Sequence, residues 1–418
     1  MITSFLKRGQ ILLGLIAAAA MIAPALTLGA GYEFEGVGAA QVSRGGAAIA
    51  DSDDWTATYW NPANIVRATE KGQHEIGLEV FGGAAFGRDS NSLSNLVGPI
   101  FQRQELDSPY VLGALGAVLP VTEKLGVGFG FYTPLLQGFN FQDTSNQTGT
   151  TLSDKGSAVI LAWNTSASYQ VTPTFSVGLG ANLLYGKLSN DTTLTNPPPP
   201  FLAGDTLVGH SSGDGVAPEG IVGFRYDPDP KVSLGFVYRT GANVRLRGDA
   251  TATSKFLPME SSAFTFVLKQ PATSGIGVAY RPNSNWTLTS DLDWTFWRSF
   301  SNAVTYDNPQ PLLANQQDTY QWRNTWKIRF GALYRLTEKT DLLGGYSFGD
   351  SAVDAASIDL STTIDVPIHK FSGGLTHRWR DWLESSFGIM AGYGTRTEGA
   401  VNYRLAGIQG MYETRFRF

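Results

Sequence analysis

The chain has 418 residues, with 31 Lys or Arg against 36 Asp or Glu, a formal net charge of −5, and no Cys. The missing Cys removes disulfides and thiolate metal sites, and the lack of a basic stripe argues against nucleic acid as a partner. Only 16% of residues are charged, while 48 are Gly and 12% are aromatic, a balance that suits a partly lipid-facing surface better than a soluble domain.

In chain order, Lys7 and Arg8 precede an uncharged apolar run from Ile11 to Leu28, followed by Gly29 and Ala30. This is the positive, apolar, small-residue order of a secretory leader, so residues 1–30 are expected to be a signal peptide with the mature chain starting near Gly31. Without Lys7 and Arg8 the balance is 29 basic against 36 acidic residues, a net of −7. No later stretch has the ~18 uncharged apolar residues of a spanning helix, so a membrane location requires a closed barrel.

Gly31 to Val66 follows, too rich in Gly and Ala and too aperiodic for a long helix or a strand. Within it Asn61-Pro62-Ala63 reads as a short helical turn: Asn caps well, and Pro at the first position has no N–H to leave unpaired. Trp60, Ile65 and Val66 stand ready to pack against a wall.

From residue 73 the chain alternates with period two. Ile76, Leu78 and Val80 oppose Glu75, Gly77 and Glu79, and a polar connection is expected from about Arg88 to Ser108. Leu125, Val127, Phe129 and Phe131 oppose Gly126, Gly128 and Gly130, and glycines on an inner face leave room for something close inside. The hairpin Val159 to Tyr185 turns at Thr172-Pro173-Thr174, and a long polar loop is expected from Ser189 to Asp214. Single strands are expected near Pro218 to Tyr226, Val232 to Leu246, Ser262 to Tyr280 and Trp286 to Tyr306. Trp326 to Tyr334, Leu342 to Phe348, Phe371 to Leu375, Leu383 to Tyr393 and Ile408 to Phe418 complete the series. The count is about fourteen strands, with short Pro/Asp/Asn-rich turns after even strands and long connections after odd ones, as in transmembrane antiparallel β-barrels with periplasmic turns and external loops. Trp60, Tyr110, Tyr169, Tyr185, Trp286, Trp326 and Tyr412 are expected to form aromatic girdles.

Gly36 to Gly38, the run Ser43-Arg44-Gly45-Gly46-Ala47-Ala48-Ile49-Ala50-Asp51, and above all Asn61-Pro62-Ala63 together resemble the N-terminal hatch of the FadL/TodX family of outer-membrane transporters. The resemblance implies an all-β fold in three parts: the leader 1–30, a plug 31–72 inside the lumen, and a barrel 73–418. It implies plug-gated passive uptake of long-chain fatty acids or hydrocarbons across the bacterial outer membrane. A kink in the third strand would open the wall sideways, and here Thr133 to Phe139, with Pro134 and Gly138, is the candidate. The terminal Phe418, behind alternating aromatics, resembles the signal read by the barrel assembly machinery, and outer-membrane lipid is the surrounding partner. The alternative function is a general porin for small polar solutes.

His74, His210, His369 and His377 lack metal spacing, and Gly349-Asp350-Ser351 lacks the context of a hydrolase nucleophile, so no metal, cofactor or enzymatic role is expected. Candidate substrate contacts are Phe34 at the plug start and the apolar loop residues Phe139, Phe141, Phe201, Leu202, Phe256, Leu257 and Met259. Glu219, Arg225, Arg239, Asp291, Asp293, Lys327, Arg329 and Arg335 fall on the inner face. Arg225 or Arg329 would hold a substrate carboxylate, since a guanidinium can do so bidentately. Substrate is expected to adsorb at the loops and enter an apolar pocket touching Gly31 to Phe34.

Overall fold

The computed structural model describes residues 35–91, 105–144, 150–197, 204–301, 303–316, 322–355, 365–399 and 401–418; the expected leader lies outside them. Strand β1 (Glu75–Asn91) pairs on one side with β2 (Glu105–Thr122) and on the other with β14 (Val401–Arg417), so the antiparallel sheet closes on itself. Between them run β3 (Leu125–Thr144), β4 (Thr151–Thr172), β5 (Phe175–Thr195) and β6 (Thr206–Asp229). Then come β10 (Thr325–Thr337), β11 (Thr340–Gly349), β12 (Ile368–Arg380) and β13 (Leu383–Glu398).

Strands β7, β8 and β9 are each built of two segments. β7 is Val232–Arg239 and Ala242–Ser254, β8 is Glu260–Gln270 and Thr273–Asn283, and β9 is Trp286–Thr295 and Val304–Tyr306. In β7 and β8 both segments share one neighbour and one register, Arg239 pairing with Thr273 and Ala242 with Gln270, which makes fourteen strands in all.

The alternation predicts the faces correctly in the membrane-spanning part. Ile76, Leu78 and Val80 are 40–57% exposed, while Glu75 and Glu79 are 3% exposed. Exposed apolar side chains such as Leu179, Ile276, Leu292, Phe330, Phe371 and Ile408 continue this band around the molecule, a surface suited to lipid and not to water.

Above that band the pattern reverses. Val244 and Leu246 of β7, Phe264, Phe266 and Leu268 of β8, and Val304 and Tyr306 of β9 are buried inside, and Arg245, Arg247 and Asp249 face solvent. Even-numbered residues of these strands point outward below the breaks (Leu234, Ile276, Leu292) and inward above them. The breaks at Thr240-Gly241 and Pro271-Ala272 step three residues from one inward side chain to the next, and a one-residue slip moves every later side chain to the other face. Expecting uninterrupted strands here was wrong for that reason. Pro271 has no N–H for the ladder, and Gly241 takes φ +64, which a side chain would strain.

Two expected loops are also corrected. β5 and β6 stay paired from Thr195 and Thr206 to Phe175 and Tyr226, so most of Ser189 to Asp214 is strand. Leu188, Leu194 and Leu207 point inward there together with Asn190, Thr192 and Ser211, while Lys187, Asp191 and His210 face outward. Likewise β1 continues to Asn91 and β2 begins at Glu105. Trp60 and Tyr110 leave the expected girdle: Trp60 is buried, and the Tyr110 hydroxyl donates to Gln409 inside the barrel at 2.7 Å.

The segment from Glu35 to Gly72 runs within this ring. It forms α1 (Ala39–Ser43), α2 (Ala57–Trp60), a 3-10 turn (Pro62–Asn64) and α3 (Ile65–Ala68). Helix α1 lies against β11 to β14, α2 against β3 and β4, α3 against β2 to β4, and the 3-10 turn against β4 to β6. Inner-face glycines make the room. A Cβ on Gly126 or Gly128 would meet Ile65, one on Gly178 would overlap the Pro62–Ala63 peptide, and one on Gly345 would overlap Arg44 and Gly45.

Candidate functional site

The lower lumen is a floor of charge that grips the inner segment by its backbone and side chains. Gly38 N–H donates to Glu79 at 2.8 Å, Ala40 N–H to Glu413 at 3.3 Å, and Ala48 and Ile49 N–H both to Asp291 at 2.7 and 2.9 Å. Trp55 donates its indole N–H to Glu413 at 2.7 Å and its backbone N–H to Glu75 at 2.9 Å. Arg415 bonds Asp54 at 2.5 Å and also pairs with Glu384. Arg44 and Arg281 both pair with Asp51, so although burial raises that carboxyl, the two cations leave it below its ordinary value of 3.8.

Asn61-Pro62-Ala63 forms the expected turn and does more than cap it. The Asn61 side-chain oxygen accepts from Ala63 N–H at 3.1 Å, and its amide donates to Ile49 O at 2.9 Å and Phe224 O at 3.1 Å. Asn61 therefore ties the turn, the preceding loop and strand β6 together. Ser168 of β4 donates to Ala63 O at 3.0 Å, fixing the other side.

Above this floor, an open space lies between the inner segment and the wall. Ile49, Tyr59 and Trp60 bound it from the segment; Pro134, Glu219, Val237, Arg239, Gln270, Thr273, Asp293, Thr295 and Arg329 bound it from strands β3 and β6 to β10. Tyr59 packs edge-on to Trp60 at 4.9 Å and to Tyr132 at 5.1 Å between ring centroids. Arg239 lies 4.9 Å over the Tyr59 ring and Arg329 lies 5.6 Å over Trp60, so cations cover both aromatic faces.

The strand pairing is interrupted beside this space. The β2–β3 ladder lapses between the pairs Leu115–Phe131 and Leu106–Phe141, and on the β4 side β3 shifts register between Tyr132 and Leu135. Thr133 and Pro134 occupy the bulge, where Pro brings no N–H to the ladder. The breaks in β7, β8 and β9 reach the same space, since Arg239, Gln270, Thr273 and Thr295 are the residues at which those strands stop or restart.

The structure divides the sequence-derived candidates. Arg329 and Glu219 line the space; Arg225 does not, its guanidinium being taken by Asp53, Asp227 and Asn64. Arg329 pairs with Asp293. Phe256, Leu257 and Met259 are 44–64% exposed in the connection between β7 and β8 and do not line the space. Phe139 and Phe141 sit in β3 opposite Gly156 and Asp154 of β4, while Phe34, Phe201 and Leu202 lie outside the described residues. Tyr59, Gln270, Thr273 and Thr295 were missed. A polar residue just before a mid-strand Pro, as in Gln270-Pro271, is the signal that marks the break.

The model of the family described as outer membrane protein transport protein (OMPP1/FadL/TodX) matches residues 15–403. A chain of Neisseria meningitidis serogroup B, named as an outer membrane protein, is 23% identical, covering 90% of this chain and 88% of its own. The crystal structure of a Pseudomonas aeruginosa FadL homologue superposes with a TM-score of 0.75 at 15% identity, covering 93% of this chain and 99% of that one. The P. putida toluene transporter TodX superposes with a TM-score of 0.72 at 16% identity, covering 92% and 99%.

Proposed function

From its membership of the FadL/TodX family of outer-membrane transport proteins, to which the chain belongs, we propose that this barrel passes small hydrophobic molecules by gated passive diffusion and releases them sideways. The carrying observation is that one space touches both the inner segment and the lapse in the wall: Tyr59 and Trp60 on one side, Pro134 on the other.

Solute enters from the external end, where the interior is apolar, and comes to rest against Tyr59 and Trp60. Below it stands the charged floor, and setting apolar surface against hydrated charge forfeits about 25 cal/mol per Å² of the burial already gained. The route past Pro134 between β2 and β3 leads to the exposed apolar band and the bilayer instead. The segment 35–72 acts as the plug, and its seat on Asn61 holds Tyr59 and Trp60 against the space that receives the solute. The Glu35–Lys370 ion pair holds its first described residue to β12. A general porin is not favoured, because the lower lumen is filled by this segment. The exposed Phe418, whose N–H and C=O both bond His74, stands as the proposed assembly signal.

Uptake of radiolabelled oleate and of an alkylbenzene by cells lacking their own transporter tests this reading. Asn61→Ala/Pro62→Gly and Pro134→Ala should each lower uptake several-fold at equal surface abundance, the first by unseating the plug turn and the second by restoring a ladder N–H. Free entry of small sugars with neither apolar compound entering would overturn it.

A further inference from the structure

The space beside the plug is not lined as a plain hydrocarbon pocket would be. Glu219 is 4% exposed; one carboxylate oxygen accepts from Asn182 at 2.6 Å, while the other, Oε1, has no partner among the described residues. Gln270 is 8% exposed, and its side-chain oxygen is likewise without a partner. Both residues line the space, as does the guanidinium of Arg239, which lies over Tyr59, faces Tyr132 and offsets the charge of Glu219, with N–H groups left over for an acceptor. Buried acceptors without donors are uncommon, because each gives up its bond to water and receives nothing in return. A ligand is one way of completing them.

The chemistry of that ligand follows from the set. Two acceptors call for a donor, and a guanidinium calls for an acceptor. A hydrocarbon has neither. A carboxylate satisfies Arg239 but is repelled by Glu219, and an ammonium satisfies Glu219 but is repelled by Arg239. A neutral hydroxyl does both at once, giving its proton to Glu219 or Gln270 and taking a bond from Arg239. The apolar body attached to it finds Ile49, Tyr59, Trp60, Pro134 and Val237. Resting on the transport reading above, we infer that the preferred cargo is an apolar molecule carrying a hydroxyl group, an alcohol or a phenol, selected by Glu219, Gln270 and Arg239.

The test compares uptake of labelled 4-propylphenol, propylbenzene, 4-propylbenzoate and 1-octanol by cells expressing the full chain and lacking other transporters. The phenol should enter faster than propylbenzene and propylbenzoate by about tenfold, the factor that one net hydrogen bond supplies. Octanol reports whether an aliphatic alcohol is accepted equally well. In Gln270→Met the ratio of phenol to hydrocarbon uptake should fall, and in Glu219→Met/Gln270→Met, where both acceptors are gone, it should collapse towards one. The gel mobility of the unboiled protein confirms that each variant is folded, and equilibrium dialysis of 4-propylphenol against the purified chain in detergent repeats the comparison without a cell. Propylbenzene entering as fast as the phenol would overturn the hydroxyl preference and leave hydrophobic transport standing. Entry of none of the four would overturn both.

Discussion

The lower and upper halves of the lumen are built on opposite rules. In the lower half the interior is charged: Asp51, Asp54, Glu75, Glu384 and Glu413 meet Arg44, Arg281, Arg415 and Arg417, Glu79 and Asp291 take backbone N–H groups of the inner segment, and lipid covers the apolar outside. In the upper half Leu184, Leu188, Val244, Leu246, Phe264, Phe266, Trp297, Phe300 and Val304 form an apolar interior, and water covers the polar outside. The difference shows that one sheet serves two solvents. Each strand buries its apolar side wherever water is not, which is outward in the membrane and inward above it. The space next to Tyr59 sits at the boundary, so a solute passing down meets apolar walls first and fixed charge last.

Breaking the lower half should cost most. Arg415→Ala leaves Asp54, Glu384 and Glu413 buried without their shared cation, and should cost about 3–5 kcal/mol, read as a lower urea midpoint of the heat-modifiable gel band. The upper half should respond to lost volume instead of lost charge. Leu184→Ala, fully buried, should cost about 2–5 kcal/mol by the same assay while leaving ion conductance in planar bilayers unchanged. A gentler probe is steric. Gly345→Val drives a side chain into the Arg44–Gly45 peptide, and should cost about 1–3 kcal/mol and raise conductance by lifting the inner segment off the wall.

The smallest effect is on pH. The two arginines hold the Asp51 carboxyl below 3.8, so its contribution is complete above that value and is lost as pH falls through the lowered one. Wild-type conductance should therefore rise only in acid below ~pH 4, and Asp51→Asn should show that rise at neutral pH. An unchanged pH profile in Asp51→Asn would mean that the floor does not depend on this pair.

Much of the barrel was legible because one repeat, apolar out and polar or Gly in, runs from Ile76 to Phe418. The inner-face glycines at 126, 128 and 130 even announced the packed segment. The upper half was harder to read for a physical reason. In β7 the even-numbered residues Leu234, Phe236, Val244 and Leu246 look like a single face, and only the three-residue step at Thr240-Gly241 turns the later pair inward. Pro271 was a visible warning that β8 does the same. Arg239 and Glu219 could be placed inside by parity. That Arg225 is committed to Asp53 and Asp227 while Arg239 stands beside the open space depends on how the inner segment folds, and no local pattern records that.

The seam between β1 and β14 has a consequence for how the molecule is built. Glu75 at the start of the first strand holds the Trp55 backbone, yet the Glu413 carboxylate and the Arg415 guanidinium that seat the Trp55 indole and Asp54 belong to the last strand, 361 residues from Asp54 in the case of Arg415. These contacts exist only once the two ends of the chain have met, so this part of the inner segment's seat is completed by the closing of the ring. Contacts this distant in sequence also form late and slowly. Until they form, the unclosed sheet presents two bare edges and an empty floor. Closing the ring supplies the cation and the carboxylate that Asp54 and Trp55 need.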